Sequence, residues 1–209
     1  MLRSLVGSEM CIRDRLWCLL WRSGWRWLGL GPVAIGVTGV LSLPPPDILV
    51  TSDGRHVAVR TSAGGMALLR AGAGDYVRDT LAESAGYDGP IEAMADLRQA
   101  RCSTDLCAVG MQAGGRRWHV LATRSDMLVE RALFSQECAA ADIVIADRAL
   151  PRWCRPRWLK IDRRMLARTG GIAIDLDNAR VSTVRMAGDA HPWIVAPRPR
   201  RHPSWRPQL

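Results

Sequence analysis

DILVTSDGRHVAVR, residues 47–60, is the stretch from which the fold is read. Two short apolar runs, Asp47 to Val50 and His56 to Arg60, flank Ser52-Asp53-Gly54-Arg55. Asp-Gly between apolar runs is a strong hairpin signal, because Gly adopts positive φ without steric cost and Asp tolerates it. Moving outward, Met66 to Arg70 follows Gly64-Gly65 as a third short strand. Asp75 to Ala85 reads as a helix with Tyr76, Thr80 and Leu81 on one side and Gly86 as its stop. Ala108 to Met111 and Trp118 to Thr123 flank Ala113-Gly114-Gly115-Arg116, a second hairpin. Met127 to Ala140 reads as a helix. Asp142 to Ala146, with Ile143, Val144 and Ile145, is an apolar run suited to a central strand. Arg163 to Thr169 is a short helix stopped by Gly170-Gly171, and Ile172 to Leu176 with Val181 to Val184 form a last hairpin around Asp177-Asn178. Hairpins alternating with helices predict an α+β layered domain over residues 47–186.

The stretch before this domain has a different character. Trp27 to Leu43 carries no charge across its length, contains Gly and Pro as membrane helices often do, and ends at Pro44-Pro45-Pro46. It is expected to be a transmembrane helix. Leu16 to Trp21 is read as the stump of a preceding helix, so that residues 16–43 form a membrane segment. Arg22 and Arg26 in the short loop between them favour the cytoplasmic side, and Trp21, Trp25 and Trp27 resemble an interfacial aromatic belt. That orientation places the domain outside the cytoplasm, at a bacterial inner membrane. A secretory signal peptide is the competing reading, but Leu41-Ser42-Leu43-Pro44 is a poor cleavage site. Residues 5–15, LVGSEMCIRDR, resemble a translated sequencing adapter, so residues 1–15 are set aside as an artefactual leader and an upstream channel portion is expected. Residues 187–209, rich in Arg, Pro and Trp, are expected to be a disordered tail.

Cysteine usage agrees with an oxidising compartment. Cys102, Cys107, Cys138 and Cys154 are the four cysteines of the soluble part, an even number that reads as two disulfides. Of the three connectivities, Cys102–Cys107 with Cys138–Cys154 is favoured, because Ser103-Thr104-Asp105-Leu106 reads as a turn between apolar runs. Zinc binding is the rival reading, and its spacings match no common finger. Four reduced, buried cysteines are the third.

The formal net charge of +9 suggests nucleic acid, but it is unevenly spread. Residues 44–195 hold 20 Arg plus Lys against 18 Asp plus Glu, a difference of +2. Much of the excess lies at Arg198, Arg200, Arg201 and Arg206 in the tail. Inside the domain, Arg148, Arg152, Arg155, Arg157, Lys160, Arg163, Arg164 and Arg168 face Asp162 alone. This local cluster is a better argument for phosphate contacts than the overall charge. Its bland alternative is a solvated face paired with domain carboxylates.

Catalytic signatures are sparse. No nucleophile elbow, P-loop or dinucleotide fingerprint is present, and no cofactor is expected. Of the histidines, His56 and His119 fall in or beside predicted strands, while His191 and His202 lie towards the end of the chain. Asp53 reads as a turn residue and Asp147 as a strand-end charge. Gly64-Gly65 and Gly170-Gly171 read as turns and helix stops.

A last membrane helix, a Pro-rich exit, DILVTSDGRHVAVR, MALLR at 66–70, ADIVIADRALP at 141–151 and RWLKIDRRMLARTGGIAIDL at 157–176 together resemble the C-terminal end of ComEC-type competence proteins. The resemblance covers residues 16–184 and rests on this order of patterns. It implies a polytopic membrane protein that passes single-stranded DNA into the cell during natural transformation. It also implies a metallo-β-lactamase-like domain outside the membrane, here shortened or degenerate. In that family the strand matching Ala141–Ala146 leads to a metal-binding histidine; here Asp147-Arg148 follows, and the HxHxDH run is absent. The expectation is therefore a non-catalytic domain with no metal site. Arg148, Arg152, Arg155, Arg157, Arg163 and Arg164 are its candidate DNA-phosphate contacts. The alternatives are a metal-independent, membrane-anchored periplasmic interaction domain, and a nuclease.

Overall fold

The computed structural model describes residue 27 and residues 30–41, 44–125, 130–186 and 188–189. The expected leader, the helix stump, Trp21, Trp25, His191, His202 and nearly all of the tail lie outside these residues.

The chain forms a mixed α+β domain of four helices and two sheets among the described residues. Helix α1, Leu30–Leu41, is followed by strands β1 (Ile48–Val50), β2 (Val57–Arg60) and β3 (Met66–Leu68). Helix α2 (Asp75–Ala85), β4 (Ile91–Ala93), a 3-10 turn (Met94–Asp96), β5 (Ala100–Cys102), β6 (Leu106–Ala113) and β7 (Arg116–Thr123) come next. The chain closes with α3 (Arg131–Ala140), β8 (Ile143–Ile145), β9 (Leu159–Ile161), α4 (Arg163–Thr169), β10 (Ile172–Asp175) and β11 (Arg180–Thr183).

Sheet A has the order β11-β10-β1-β2-β3-β4, antiparallel except for the β3–β4 pair, which α2 connects as a parallel crossover. Sheet B has the order β5-β6-β7-β8-β9; its last two pairings are parallel. The sheets pack face to face. Ile48, Val57 and Val59 of sheet A share one core with Val109, Val120, Ile143 and Ile161 of sheet B. Leu49, Ala58 and Leu68 turn outward under Leu81 and Ala85 of α2. Leu121 and Val144 turn outward under Phe134 and Cys138 of α3. The result is a four-layer α/β/β/α sandwich. It explains why β1, β2 and β8 read as unbroken apolar runs: both of their faces are covered. Strand β6 alternates instead, because α3 covers only part of that outer face.

The strands and turns expected from sequence are present, with shifted edges. The β1–β2 connection is a six-residue loop, Thr51 to His56, in which Gly54 takes φ +72°. The β6–β7 hairpin turns on Gly114-Gly115 (φ +58° and +70°), the conformation a two-residue turn of this kind demands. Helix α2 ends where Gly86 enters the left-handed region and Tyr87 N–H reaches back to Ala82. Of the expected side Leu81 is buried, together with Ala85, whereas Tyr76 is 83% exposed and Thr80 is also exposed. Strands β4, β5 and β9 were not expected.

The membrane segment differs from expectation. Helix α1 has 12 residues, which corresponds to about 18 Å against about 30 Å of hydrocarbon core. No helix among the described residues is long and apolar enough to cross a membrane. Pro32 sits in its first turn, where a missing N–H costs least, and Pro44 to Pro46 follow close on its end. Ile35 and Val40 are more than 70% exposed.

Candidate nucleic-acid interface

The arginine cluster lies on a crossover that has no helix. From β8 the chain returns through residues 146–158 to lay β9 parallel to β8. This loop packs on the outer face of sheet B and is fastened to α3. Cys138 and Cys154, both fully buried, pair their sulfurs at bonding distance. Phe134 and Trp153 meet edge to face at 6.0 Å, with the Arg131 guanidinium 5.5 Å from the Trp153 ring. Lys160 donates from Nζ to the Pro151 carbonyl (2.8 Å) and the Cys154 carbonyl (3.3 Å). Cys102 and Cys107 form the second pair, directly opposite each other on β5 and β6. Both pairs are those favoured from the sequence.

Adjacent in sequence, the six arginines are divided in space. Arg148 stands half-buried just past β8, and Arg163 and Arg164 are exposed at the start of α4, at that same end of the sandwich. Arg152 and Arg155 are exposed along the returning loop. Arg157 is at the opposite end, its N–H donating to the Ala141 carbonyl at the start of β8. The run from Asp142 to Asp147 separates the two ends by about 16 Å at the rise of a strand. The ion pairs among the described residues are Arg70–Asp147 and Arg116–Asp142, so Arg152, Arg155, Arg157, Arg163 and Arg164 have no carboxylate partner there.

At the Arg148 end, several elements converge on Asp147. Its side chain is buried, 8% exposed, and the carboxylate meets Arg70, just beyond β3, at 3.2 Å. Arg163 Nε donates to the Asp147 carbonyl at 3.0 Å. Asp147 Oδ1 and Arg70 Nε are buried with no hydrogen-bond partner. Gly54 packs so close that a Cβ there would lie 3.1 Å from Asp147 Cα. Asp162 caps α4 by accepting from Met165 N–H and also accepts from Leu150 N–H. Ser52, Asp53, Arg55, Asp147, Arg163 and Ala167 line the cleft that opens here. Partial burial works to raise the Asp53 pKa, but hydrogen bonds from the Thr51 hydroxyl and Arg55 N–H, with nearby His56, hold it below the ordinary carboxylate value. Asp53 is thus the turn residue the sequence suggested. His119 is exposed on β7, and His56 is half-buried with Nδ1 unpartnered.

Among the described residues no group of three or more His, Cys, Asp or Glu side chains is placed to hold a metal ion. Asp147 lies just past β8, and its carboxylate is committed to Arg70. Sequence reasoning took Asp147 for a strand-end charge and missed its partner, 77 residues earlier. It also missed Arg116–Asp142 (2.8 Å), in which the second carboxylate oxygen accepts from His119 N–H. One signal was present: an aspartate at each end of a fully apolar run, Asp142 and Asp147, requires a partner for each. No protein-family model, curated protein or solved structure matches the chain.

Proposed function

We propose that this chain is the extracytoplasmic end of a polytopic bacterial inner-membrane protein of the ComEC type. In this reading the protein takes up single-stranded DNA, α1 belongs to a membrane segment, and the sandwich is a degenerate metallo-β-lactamase-like domain that binds DNA without catalysing a reaction. The observation that carries the reading is a set of exposed arginines with no carboxylate partner among the described residues: Arg152, Arg155, Arg163 and Arg164. A guanidinium free of intrachain acids is available for charge-assisted hydrogen bonds to phosphate. The loop that carries Arg152 and Arg155 is fastened to α3, so little order is lost when phosphate binds. Binding rather than hydrolysis is favoured because Asp147 is engaged by Arg70 at the position where the family places a metal ligand. Arg157 stands apart from this set.

The test is equilibrium binding of a labelled single-stranded oligonucleotide to the full chain across a salt series. Log affinity should fall linearly with log salt, with a slope of about −0.7 per phosphate contact. Replacing Arg152, Arg155 and Arg164 with Gln should flatten that slope by up to about 0.7 for each arginine while leaving thermal stability unchanged. Salt-independent or absent binding would sink the DNA reading and leave a membrane-anchored interaction domain. Metal-dependent cleavage of the oligonucleotide would replace it with a nuclease.

A further inference from the structure

We infer that the cleft beside Asp147 seats one nucleotide of the bound strand, with Arg55 and Arg163 on its phosphate and Asp53 on an amino group of its base. The inference rests on the single-strand reading above. It adds the β1–β2 loop to that surface, Arg55 above all, which lies outside the arginine run of residues 148–168.

The cleft opens between that loop and α4, and its walls are Ser52, Asp53, Arg55, Asp147, Arg163 and Ala167. Its volume of about 320 Å3 falls within the range that small organic ligands occupy, about 300–1,000 Å3. Both walls are held in place. On the loop side, Thr51 N–H donates to the His56 carbonyl, Gly54 N–H to the Thr51 carbonyl and His56 N–H to the Thr51 hydroxyl. Gly54 is wedged against Leu166, Ala146 and Asp147. On the α4 side, Arg163 Nε donates to the Asp147 carbonyl at 3.0 Å, which anchors the guanidinium by one edge. Walls already ordered lose little freedom when a ligand enters.

The groups left without partners define the ligand. The Arg55 guanidinium, the two terminal nitrogens of Arg163 and the Ser52 hydroxyl make no hydrogen bond or ion pair among the described residues. Guanidinium nitrogens and a hydroxyl are donors suited to phosphate oxygens. The local charge agrees, with hydrogen-bonded carboxylates counted at full value. Among the lining residues, their chain neighbours and their ion-pair partner, Arg55, Arg70, Arg148, Arg163, Arg164 and Arg168 stand against Asp53, Asp147 and Asp162, six positive groups against three negative.

Asp53 shows why phosphate alone is not the occupant. Asp147 is buried against Arg70, and Asp162 is buried and accepts from Leu150 and Met165 N–H. Asp53 is instead exposed in the cleft wall. Its Oδ1 accepts from the Thr51 hydroxyl and Arg55 N–H, while Oδ2 accepts from no other residue among those described. An ionised carboxylate repels phosphate but accepts from an amino group. Cytosine, adenine and guanine carry such a group; uracil presents a carbonyl oxygen where cytosine has its amine. A nucleotide supplies both halves at once, a phosphate for the arginines and a donor for Asp53.

The test measures binding of short labelled oligodeoxycytidine and oligodeoxyuridine to the full chain across a salt series. Oligodeoxycytidine should bind about fivefold more tightly, the discrimination that one hydrogen bond to a base edge provides. Asp53→Asn keeps an acceptor for Thr51 and Arg55 N–H, and its amide can face either base, so this variant should bind both strands alike. Arg55→Gln alters a side chain that touches no partner and should flatten the salt slope by up to about 0.7 for both strands. Thermal melts of both variants should match the parent. A flattened slope without a base preference in the parent leaves a phosphate seat only and overturns the nucleotide assignment. An unchanged slope in Arg55→Gln overturns the cleft altogether, leaving Arg152, Arg155 and Arg164 as the DNA surface. Failure of the parent to bind either strand refutes the single-strand reading together with this one.

Discussion

Asp147 and Arg70 meet at 3.2 Å across 77 residues of chain, tying the end of a sheet-B strand to the end of a sheet-A strand. The contact is one-pronged, and the second oxygen and Arg70 Nε are buried beside it without partners. Removing one member leaves the other charge buried and uncompensated. Arg70→Met should therefore destabilise the domain by about 3 kcal/mol, while the double change Arg70→Met with Asp147→Leu should recover most of that loss. Urea denaturation of the two variants measures the difference. Equal losses in both would mean that the pair is not what holds this end.

Gly54 makes the same end sensitive to sterics. Its φ of +72° and a Cβ only 2.8 Å from Leu166 Cδ1 and 3.0 Å from the Ala146 carbonyl leave no room for a side chain. Gly64 has φ +81° but open space around it. Alanine at either position should cost about 1–2 kcal/mol for the left-handed backbone. Alanine at Gly54 alone should add about 1–3 kcal/mol of overpacking. A thermal melt of each variant checks the gap between them, and equal melting points would contradict the close approach.

The contrast between these two glycines also shows what the sequence could convey. Local signals were readable: Asp53-Gly54, Gly114-Gly115, Gly86 and Gly170 punctuate the chain where a positive φ is required. The β8 run was readable because both its faces are covered, leaving no polar alternation. Strands β4, β5 and β9 were missed because three residues with partly exposed faces carry no period of their own; pairing with β3, β6 and β8 makes them strands. The arginine cluster was visible as a run, but its division between two ends of β8 depends on a crossover that no local pattern announces.

Asp47 gives a pH dependence with a defined sign. Burial is the main cause raising its pKa above the ordinary 3.8, with Asp177 and Asp175 adding to it and the hydrogen bond from Leu176 N–H opposing it. The folded carboxyl thus keeps its proton to higher pH than the unfolded one. Between the two values the folded state binds more protons, so stability falls as pH rises and stays lower at neutral pH. Asp47→Asn retains an acceptor for Leu176 N–H and removes the half-buried charge. The variant should melt higher than the parent at pH 7, and the difference should close at about pH 3, below the ordinary carboxylate value. A lower melting point at pH 7 would show that the charge itself is needed.

The two cysteine pairs should contribute unequally. Cys138–Cys154 spans 16 residues and fastens the arginine-bearing crossover to α3, whereas Cys102–Cys107 spans 5 and joins strands already paired in register. By the closed loop alone, the first should stabilise by about 3 kcal/mol and the second by about 2 kcal/mol. The larger difference should appear in binding. Replacing Cys138 and Cys154 with Ala removes the link that holds Arg152 and Arg155 in place, so oligonucleotide affinity should fall further than in the Cys102 and Cys107 double variant. Comparing both double variants by urea denaturation and by oligonucleotide binding checks the two effects separately. If the Cys138 and Cys154 variant loses stability but keeps full affinity, the crossover loop does not present the phosphate contacts, and Arg148, Arg163 and Arg164 become the groups to substitute next.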